Sequence, residues 1–167
     1  MNNDQTLDKK EHLVELVKEF GTGMLATRDA DGTIRARPMG VAEVTDDAEL
    51  YFPCTIEDEK VKRVAIDPTA AVLFQSTAKW VSLSGKLRVS TDRQLIERLW
   101  SESWKLWFPE GKDDPSLSIL IFDPAQGEYW DNSGQRGIRF AIEAAKAYIS
   151  GREPDGKKLD ENARVKL

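Results

Sequence analysis

The strongest constraint on the fold comes from a series of short predicted strands separated by short turns. The residues from Thr22 to Arg28 predict a first strand, and Asp29–Gly32 contains the Asp-Gly pair typical of a tight hairpin turn. A second strand is predicted from Thr33 to Val44 and a third from Glu49 to Phe52. Because the connecting turns are short, the three strands predict an antiparallel meander.

The rest of the chain continues the pattern without a regular strand–helix–strand alternation. Further strands are predicted at 70–75, 79–89, 118–122 and 127–130, with a break at Pro124, and helices at 8–20, 55–66, 92–107 and 137–150. Asp8 with Glu11 is typical of a capping box, and Gly85 indicates a bulge or a close backbone approach. About six strands in this order predict a mainly β (α+β) fold, an antiparallel barrel with peripheral helices.

Composition excludes several functional classes. The chain has 167 residues, a formal net charge of -5 and a pI of about 5.1, so a nucleic-acid binder is not expected. The most apolar run, Ile119–Phe122, is too short to span a membrane. A single cysteine and a charged N-terminus without a signal peptide predict a cytoplasmic protein. We expect one domain over residues 1–150 and a charged, loosely held tail over 151–167.

Most catalytic motifs are absent from the sequence. There is no nucleophile elbow, no P-loop and no set of zinc ligands, because Cys54 and His12 are the only residues of their kinds. The glycines at Gly21 and Gly23 lie after a predicted helix and before a strand, which is the wrong order for a dinucleotide site. We therefore assign no catalytic side chain and no metal site, and we interpret Cys54 as a small buried hydrophobe and His12 as a helix-surface residue.

The positions of several basic residues indicate a binding site for an anion. Arg35 and Arg37 share one face of the second strand, where two like charges favour an anionic partner. Arg37 could donate two hydrogen bonds to phosphate oxygens in a bidentate arrangement. Thr55 at the start of the predicted short helix and Lys60 one turn later could add donors. The alternatives are a solvated basic face and a surface lysine paired with Glu57 or Asp58.

Polar and aromatic residues of two neighbouring strands could complete such a site. Gln75, Lys79 and Ser82 offer hydrogen bonds, and Trp80 offers either a stacking surface or plain core packing. Trp104, Trp107 and Trp130 are more typical of core or interface positions.

Several motifs, in their order and spacing, resemble the pyridoxamine 5'-phosphate oxidase-like FMN-binding superfamily, and within it the bacterial general stress proteins. The resemblance covers roughly residues 10 to 150. The motifs that carry it are Arg35–Met39, Leu50–Pro53, Lys60–Val64 with Asp67–Pro68, Ala71–Gln75, Trp80–Gly85, Trp107–Gly111 with Asp114–Pro115, and Glu128–Trp130.

This resemblance implies a six-stranded split β-barrel that forms a homodimer and binds FMN in clefts at the dimer interface. In such proteins the arginine before Pro-Met, the residues that open the short helix, and its lysine contact the phosphate. In this chain the pattern leaves Arg35 as a rim or salt-bridge residue. Lys79 would stabilise reduced flavin from the pyrimidine end of the ring. The implied cofactor residues are Arg37, Thr55 and Lys60 at the phosphate, the backbone of Pro38 and Met39 along the flavin, and Gln75, Lys79, Trp80 and Ser82 near the ring and ribityl chain.

One departure from the family pattern concerns Asp58 and Glu59, which stand where many relatives have a serine and a basic residue. Negative charge beside a phosphate weakens its binding. The resemblance implies a flavin-dependent oxidoreductase-like protein with an unassigned substrate. The alternatives are a flavin- or phosphorylated-ligand-binding stress module without turnover, a split barrel that binds no ligand, and a barrel that uses F420 or haem, the last disfavoured by the single histidine.

Overall fold

The computed structural model describes residues 3–133 and 162–167, with side chains from Leu7 onward in the first of these ranges. Antiparallel strands dominate it. In chain order the elements are α1 (Asn3–Lys18), β1 (Thr22–Arg28), β2 (Ile34–Gly40), β3 (Glu43–Val44), β4 (Leu50–Thr55), α2 (Glu59–Val64), β5 (Thr69–Gln75), β6 (Lys79–Ser90), α3 (Arg93–Leu99), two 3-10 turns (Glu102–Leu106 and Gly111–Asp113), β7 (Leu117–Asp131) and β8 (Asn162–Lys166).

The strands form one curled sheet in the order β2-β1-β5-β6-β7-β4-β3, with β8 paired to β7, and every pairing is antiparallel. The long strand β7 pairs with β4 through its first half and with β8 through its second half. These features confirm the antiparallel split barrel with peripheral helices. The described sheet has eight strands rather than six, because β3 and β8 are separate short strands.

The predicted second strand, Thr33 to Val44, is wrong as a single element, because the structure divides it into β2 and β3; the predicted turn into the third strand is confirmed by the pairing of β3 with β4. Within the described strands β2 pairs with β1, whereas β4 pairs with β3 and β7. The chain leaves β2 at Gly40, and only Glu43–Val44 returns to pair beside β4. The sheet therefore ends at β2 on one side and at the short β3 beside β4 on the other, and the opening between these two edges is the split of the barrel.

Two apolar clusters hold the sheet and helices together. The larger one fills the barrel and is closed by α1, with Leu13 and Val17 packed among buried strand residues such as Phe52 and Leu83. The second lies under α3 and the first 3-10 turn, around Ile96. From Ile119 to Phe122, successive residues of β7 enter the two clusters alternately, which explains why this run is apolar without interruption.

Gly85 forms the predicted irregularity. The register of β6 against β7 shifts between Ser84 and Gly85, and Gly85 lies opposite Pro124. The predicted break at Pro124 is wrong, because the bulge accommodates the proline and β7 continues through it.

The boundaries of α1 and α3 differ from the predicted ones, because packing against distant residues determines where these helices begin and end. Helix α1 begins at Asn3, so Asp8 with Glu11 is an interior pair and not a capping box. The predicted helix over 92–107 ends at Leu99, after which Trp100 adopts an extended backbone. A separate 3-10 turn then buries Trp104, whose ring meets that of Trp100 edge to face at 5.7 Å. Burial of this tryptophan outweighs helix propensity.

The end of the chain is only partly described. The predicted helix over 137–150 and residues 151–161 of the tail lie outside the described residues. Residues 162–166 are not loosely held: they form β8, with Ala163 and Val165 buried and Arg164 and Lys166 exposed between them. This alternation is that of a strand with one face on the core. In the part of the chain that is described, no helix combines the length and the apolar character needed to cross a membrane.

Candidate functional site

A cleft of about 690 Å³ lies where the ends of β1, β5, β6 and β7 meet. Three of the residues predicted to lie near a ring are brought together there. The lining consists of Thr22, Gly23, Met24, Leu73, Phe74, Gln75, Trp80, Val81, Ser82, Trp130 and Asn132.

The strand register explains this lining. Trp80 lies directly opposite Gln75 on one side and Trp130 on the other, and Ser82 lies opposite Leu73. Because residues directly opposite in an antiparallel sheet share a face, the two indoles and the Gln75 amide stand side by side. Such a surface combines flat apolar area with hydrogen-bonding groups, which is the usual make-up of a site for a planar heteroaromatic ligand.

Two lining residues were missed by the sequence reasoning. Trp130 was interpreted as core or interface, and its pairing with Trp80 shows only in the sheet register. Asn132 carries no sequence signal, yet it lines the cleft, and its Oδ1 is buried with no hydrogen-bond partner among the described residues. A buried acceptor without a partner costs free energy that a ligand with an N–H donor recovers.

Lys79 is not part of the cleft lining. Its ammonium donates to both carboxylate oxygens of Glu19, at 2.7 and 2.6 Å. This ion pair leaves the charge of Lys79 compensated, so the predicted contact with a ring edge stays a prediction.

Arg37 lies at the edge of the sheet that borders the split. It stands opposite Leu25 on β1, and its Nη1 donates to Thr27 Oγ1 at 2.7 Å. Burial lowers the pKa of the guanidinium, and the carboxylates of Asp29 and Asp58 oppose that shift. The group is therefore a half-buried cation with donors left for an anion.

Arg35 differs from Arg37 in its surroundings, as predicted. It is largely exposed and its Nη2 pairs with Asp29 Oδ2 at 3.0 Å. Of the two alternatives for Arg35, a rim residue or a salt-bridge residue, the structure confirms the salt bridge.

Lys60 supplies a second cation from α2. Its side chain is only 16% exposed, and its ammonium forms an ion pair with the carboxylate of Asp58. Asp58 occupies the N-cap position of α2, but its side chain makes no capping hydrogen bond. Pairing of Lys60 with an acid of its own segment, one of the two interpretations from the sequence, is therefore what the structure contains.

The prediction that Thr55 lies at the start of the short helix is wrong. Thr55 is the last residue of β4, opposite Leu117, and α2 begins only at Glu59. The strand continues past its predicted end because β7 offers it a partner along its whole length. Thr55 therefore lies before a turn, in which Asp58 N–H donates to its carbonyl, and not at a helix N-terminus.

Pro38 and Met39 point to opposite faces of β2. Pro38 is exposed and lies opposite Met24, one of the cleft residues, whereas Met39 is buried in the barrel core. The side chain of Met39 therefore belongs to the core, and the predicted contact of the Pro38–Met39 backbone with the flavin stays a prediction.

The other reactive side chains serve packing. Cys54 is buried with its Sγ 3.3 Å from Ser118 Oγ, and burial raises the pKa of the thiol. His12 is less exposed than expected of a surface residue: its Nε2 lies 3.1 Å from Asp131 Oδ2 and its ring meets Tyr129 edge to face. The interpretation of Cys54 as a buried hydrophobe is confirmed.

Comparison with known proteins gives the same family from sequence and from structure. Residues 8–155 match the family model described as "Pyridoxamine 5'-phosphate oxidase like". General stress protein 26 of Bacillus subtilis is 27% identical over 122 residues, which cover 70% of this chain and 84% of that protein.

Solved structures extend the match over nearly the whole chain. The crystal structure of a protein assigned as general stress protein 26 from Jannaschia sp. CCS1 is 30% identical, with a TM-score of 0.73 over 97% of this chain and 99% of the other. The general stress FMN/FAD binding protein of Xanthomonas citri is 26% identical, with a TM-score of 0.63 over 80% of this chain and 92% of the other. On this evidence the chain belongs to the pyridoxamine 5'-phosphate oxidase-like family and is homologous to its general stress protein 26 members.

Proposed function

We propose that this chain binds FMN and acts as a flavin-dependent oxidoreductase-like protein on a small-molecule substrate. The observation that carries the proposal is the cleft, where Trp80 and Trp130 offer a flat apolar surface beside the polar groups of Gln75 and Ser82. The Oδ1 of Asn132, which is buried without a hydrogen-bond partner in the described part of the chain, suits a ring with its own N–H donors. The name of the Xanthomonas citri relative, an FMN/FAD binding protein, supports the same cofactor.

In this proposal the cleft residues orient the ring, and Arg37 and Lys60 provide positive charge for the phosphate. Arg37 is suited to this role because a guanidinium offers several donors in a planar fork. Bound flavin would supply the redox chemistry, and the protein would supply position and electrostatics. A cytoplasmic location remains a prediction from the sequence.

A second candidate is a flavin-binding stress module without turnover. The ion pair of Lys79 with Glu19 favours it, because this pair compensates the charge that was expected to stabilise reduced flavin. Anaerobic reduction followed by reoxidation with candidate acceptors distinguishes the two: an oxidoreductase passes electrons repeatedly, whereas a binding module is reduced once per bound flavin.

Replacement of Trp80 by alanine tests the cleft. We expect Trp80→Ala to weaken FMN binding about tenfold, because it removes one of the two aromatic surfaces, and base–aromatic stacking contributes about 1–3 kcal/mol. Flavin fluorescence quenching measures the dissociation constant. Trp107→Ala is the matched control, since Trp107 is exposed and is not a cleft residue. Equal affinities of wild type and Trp80→Ala would place the flavin elsewhere.

We further propose that the chain forms a homodimer with the ligand at the interface. Met24 and Leu73 are opposite residues on neighbouring strands, both line the cleft, and the two residues are 41% and 42% exposed. Apolar surface on the outer face of a sheet is typical of a site covered by a partner.

A charge placed on this face should separate the subunits. We expect wild type to sediment as a dimer of 18.8 kDa chains and Leu73→Glu to sediment as a monomer, because a carboxylate cannot be buried unpaired at an interface. Ile66→Glu, at an even more exposed position after α2, should leave the dimer intact. A monomeric wild type, or dissociation by both variants alike, would contradict this interface.

A further inference from the structure

Asp58 occupies the N-cap position of α2 but does not cap the helix. Aspartate at an N-cap normally accepts a hydrogen bond from a backbone N–H of the first helical turn. Here the side chain makes no such bond and pairs instead with the ammonium of Lys60, two residues later. The carboxylate of Asp58 therefore forms an ion pair in place of the capping hydrogen bond.

The same carboxylate also acts on Arg37. It is one of the two acids whose negative charge favours the charged form of Arg37 and so limits the lowering of its pKa that burial causes. Asp58 thus interacts with both cations that the proposed function assigns to the ligand phosphate. It is therefore an anion of the protein itself that competes with a ligand phosphate for these two cations.

The neighbouring acid is placed differently. Glu59 lines a separate groove between α2 and the β1–β2 turn, beside Asp31 and Arg63. Both acids add one negative charge to the same segment, but it is Asp58 that contacts Lys60. The two residues therefore form a natural pair for separating a direct contact from an overall charge effect.

We propose that Asp58 is a specificity-determining residue, which lowers the preference of the proposed flavin site for phosphorylated over unphosphorylated flavin. This inference rests on the proposed flavin site. A phosphate that binds Lys60 must replace the Asp58 contact and then lie near a displaced carboxylate, and like charges in such proximity oppose binding. Riboflavin has the same ring without the phosphate, so Asp58 leaves its binding unaffected.

The test measures dissociation constants of FMN and riboflavin for wild type, Asp58→Asn and Glu59→Gln. Asparagine and serine are also good N-cap residues, so Asp58→Asn and a second variant, Asp58→Ser, retain a helix start while removing the charge. We expect both Asp58 variants to bind FMN at least about tenfold more tightly than wild type and to bind riboflavin equally well. Glu59→Gln should change the FMN affinity by less than about threefold, as expected for an exposed charge.

The outcomes separate this inference from the function on which it rests. Equal gains for FMN and riboflavin in the Asp58 variants, equal gains in Asp58→Asn and Glu59→Gln, or no gain at all would overturn the role of Asp58 while leaving flavin binding in place. Failure of every variant, wild type included, to bind either flavin would overturn the flavin site itself, and the role of Asp58 with it.

Discussion

An Arg37→Ala variant is expected to bind FMN about 30- to 150-fold more weakly than wild type. A hydrogen bond to a charged group contributes about 2–3 kcal/mol when its partner is desolvated, which corresponds to that range. Arg37 is half-buried and already oriented by its bond to Thr27, so little side-chain entropy is lost when an anion binds. Titration of flavin fluorescence gives both dissociation constants.

Two controls make the result specific to the phosphate. Arg35→Ala removes the same charge two residues away on the same strand, but Arg35 is a largely exposed rim residue paired with Asp29, so we expect less than a threefold change. Riboflavin should bind Arg37→Ala and wild type equally, because it carries no phosphate. A comparable loss for riboflavin would show that Arg37 supports the fold of the site and not the phosphate.

A Gly85→Ala variant is expected to be about 3 kcal/mol less stable than wild type. An added Cβ would lie 2.1 Å from the carbonyl oxygen of Asp123 and 2.7 Å from the Cα of Pro124, and both are backbone atoms that cannot rotate away. Relief of the contact requires the bulge between β6 and β7 to open, which is a severe case of overpacking. For a chain of this size the loss corresponds to a fall of about 6–12 °C in Tm.

Gly40→Ala provides the matched control for this effect. Gly40 also lies in a strand, but an added Cβ there has no atom within 4 Å. We expect no loss of stability, or a gain of about 0.4–1 kcal/mol from the reduced freedom of the unfolded chain. Thermal unfolding followed by circular dichroism compares the variants, and an equal Tm for Gly85→Ala and wild type would contradict the close approach.

Local chemistry made parts of this fold predictable. The bounds of β1 follow from the glycine that precedes it and the Asp-Gly turn that comes after it, and the irregularity at Gly85 follows from a glycine inside an alternating strand. The end of β4 at Thr55 could not be predicted, because it depends on pairing with Leu117, far along the chain. The end of α3 likewise depends on how Trp104 is buried.

In the candidate site, too, some residues could be predicted from the sequence and others could not. Gln75, Trp80 and Ser82 were predicted and lie in one cleft, since two of the strands that form it are neighbours in sequence as well as in space. Trp130 and Asn132 reach the cleft only through the pairing of β7 with β6, which no local pattern reveals. The charge of Asp58 was visible in the sequence, but its contact with Lys60 in place of a capping bond was not.

The visible absorption spectrum of the purified protein, followed by titration with FMN if it is colourless, tests flavin binding most directly. We expect flavin absorption bands, or saturable quenching of FMN fluorescence at one FMN per chain, and weaker quenching for Trp80→Ala. A colourless protein that leaves FMN fluorescence unchanged across the titration would contradict this expectation.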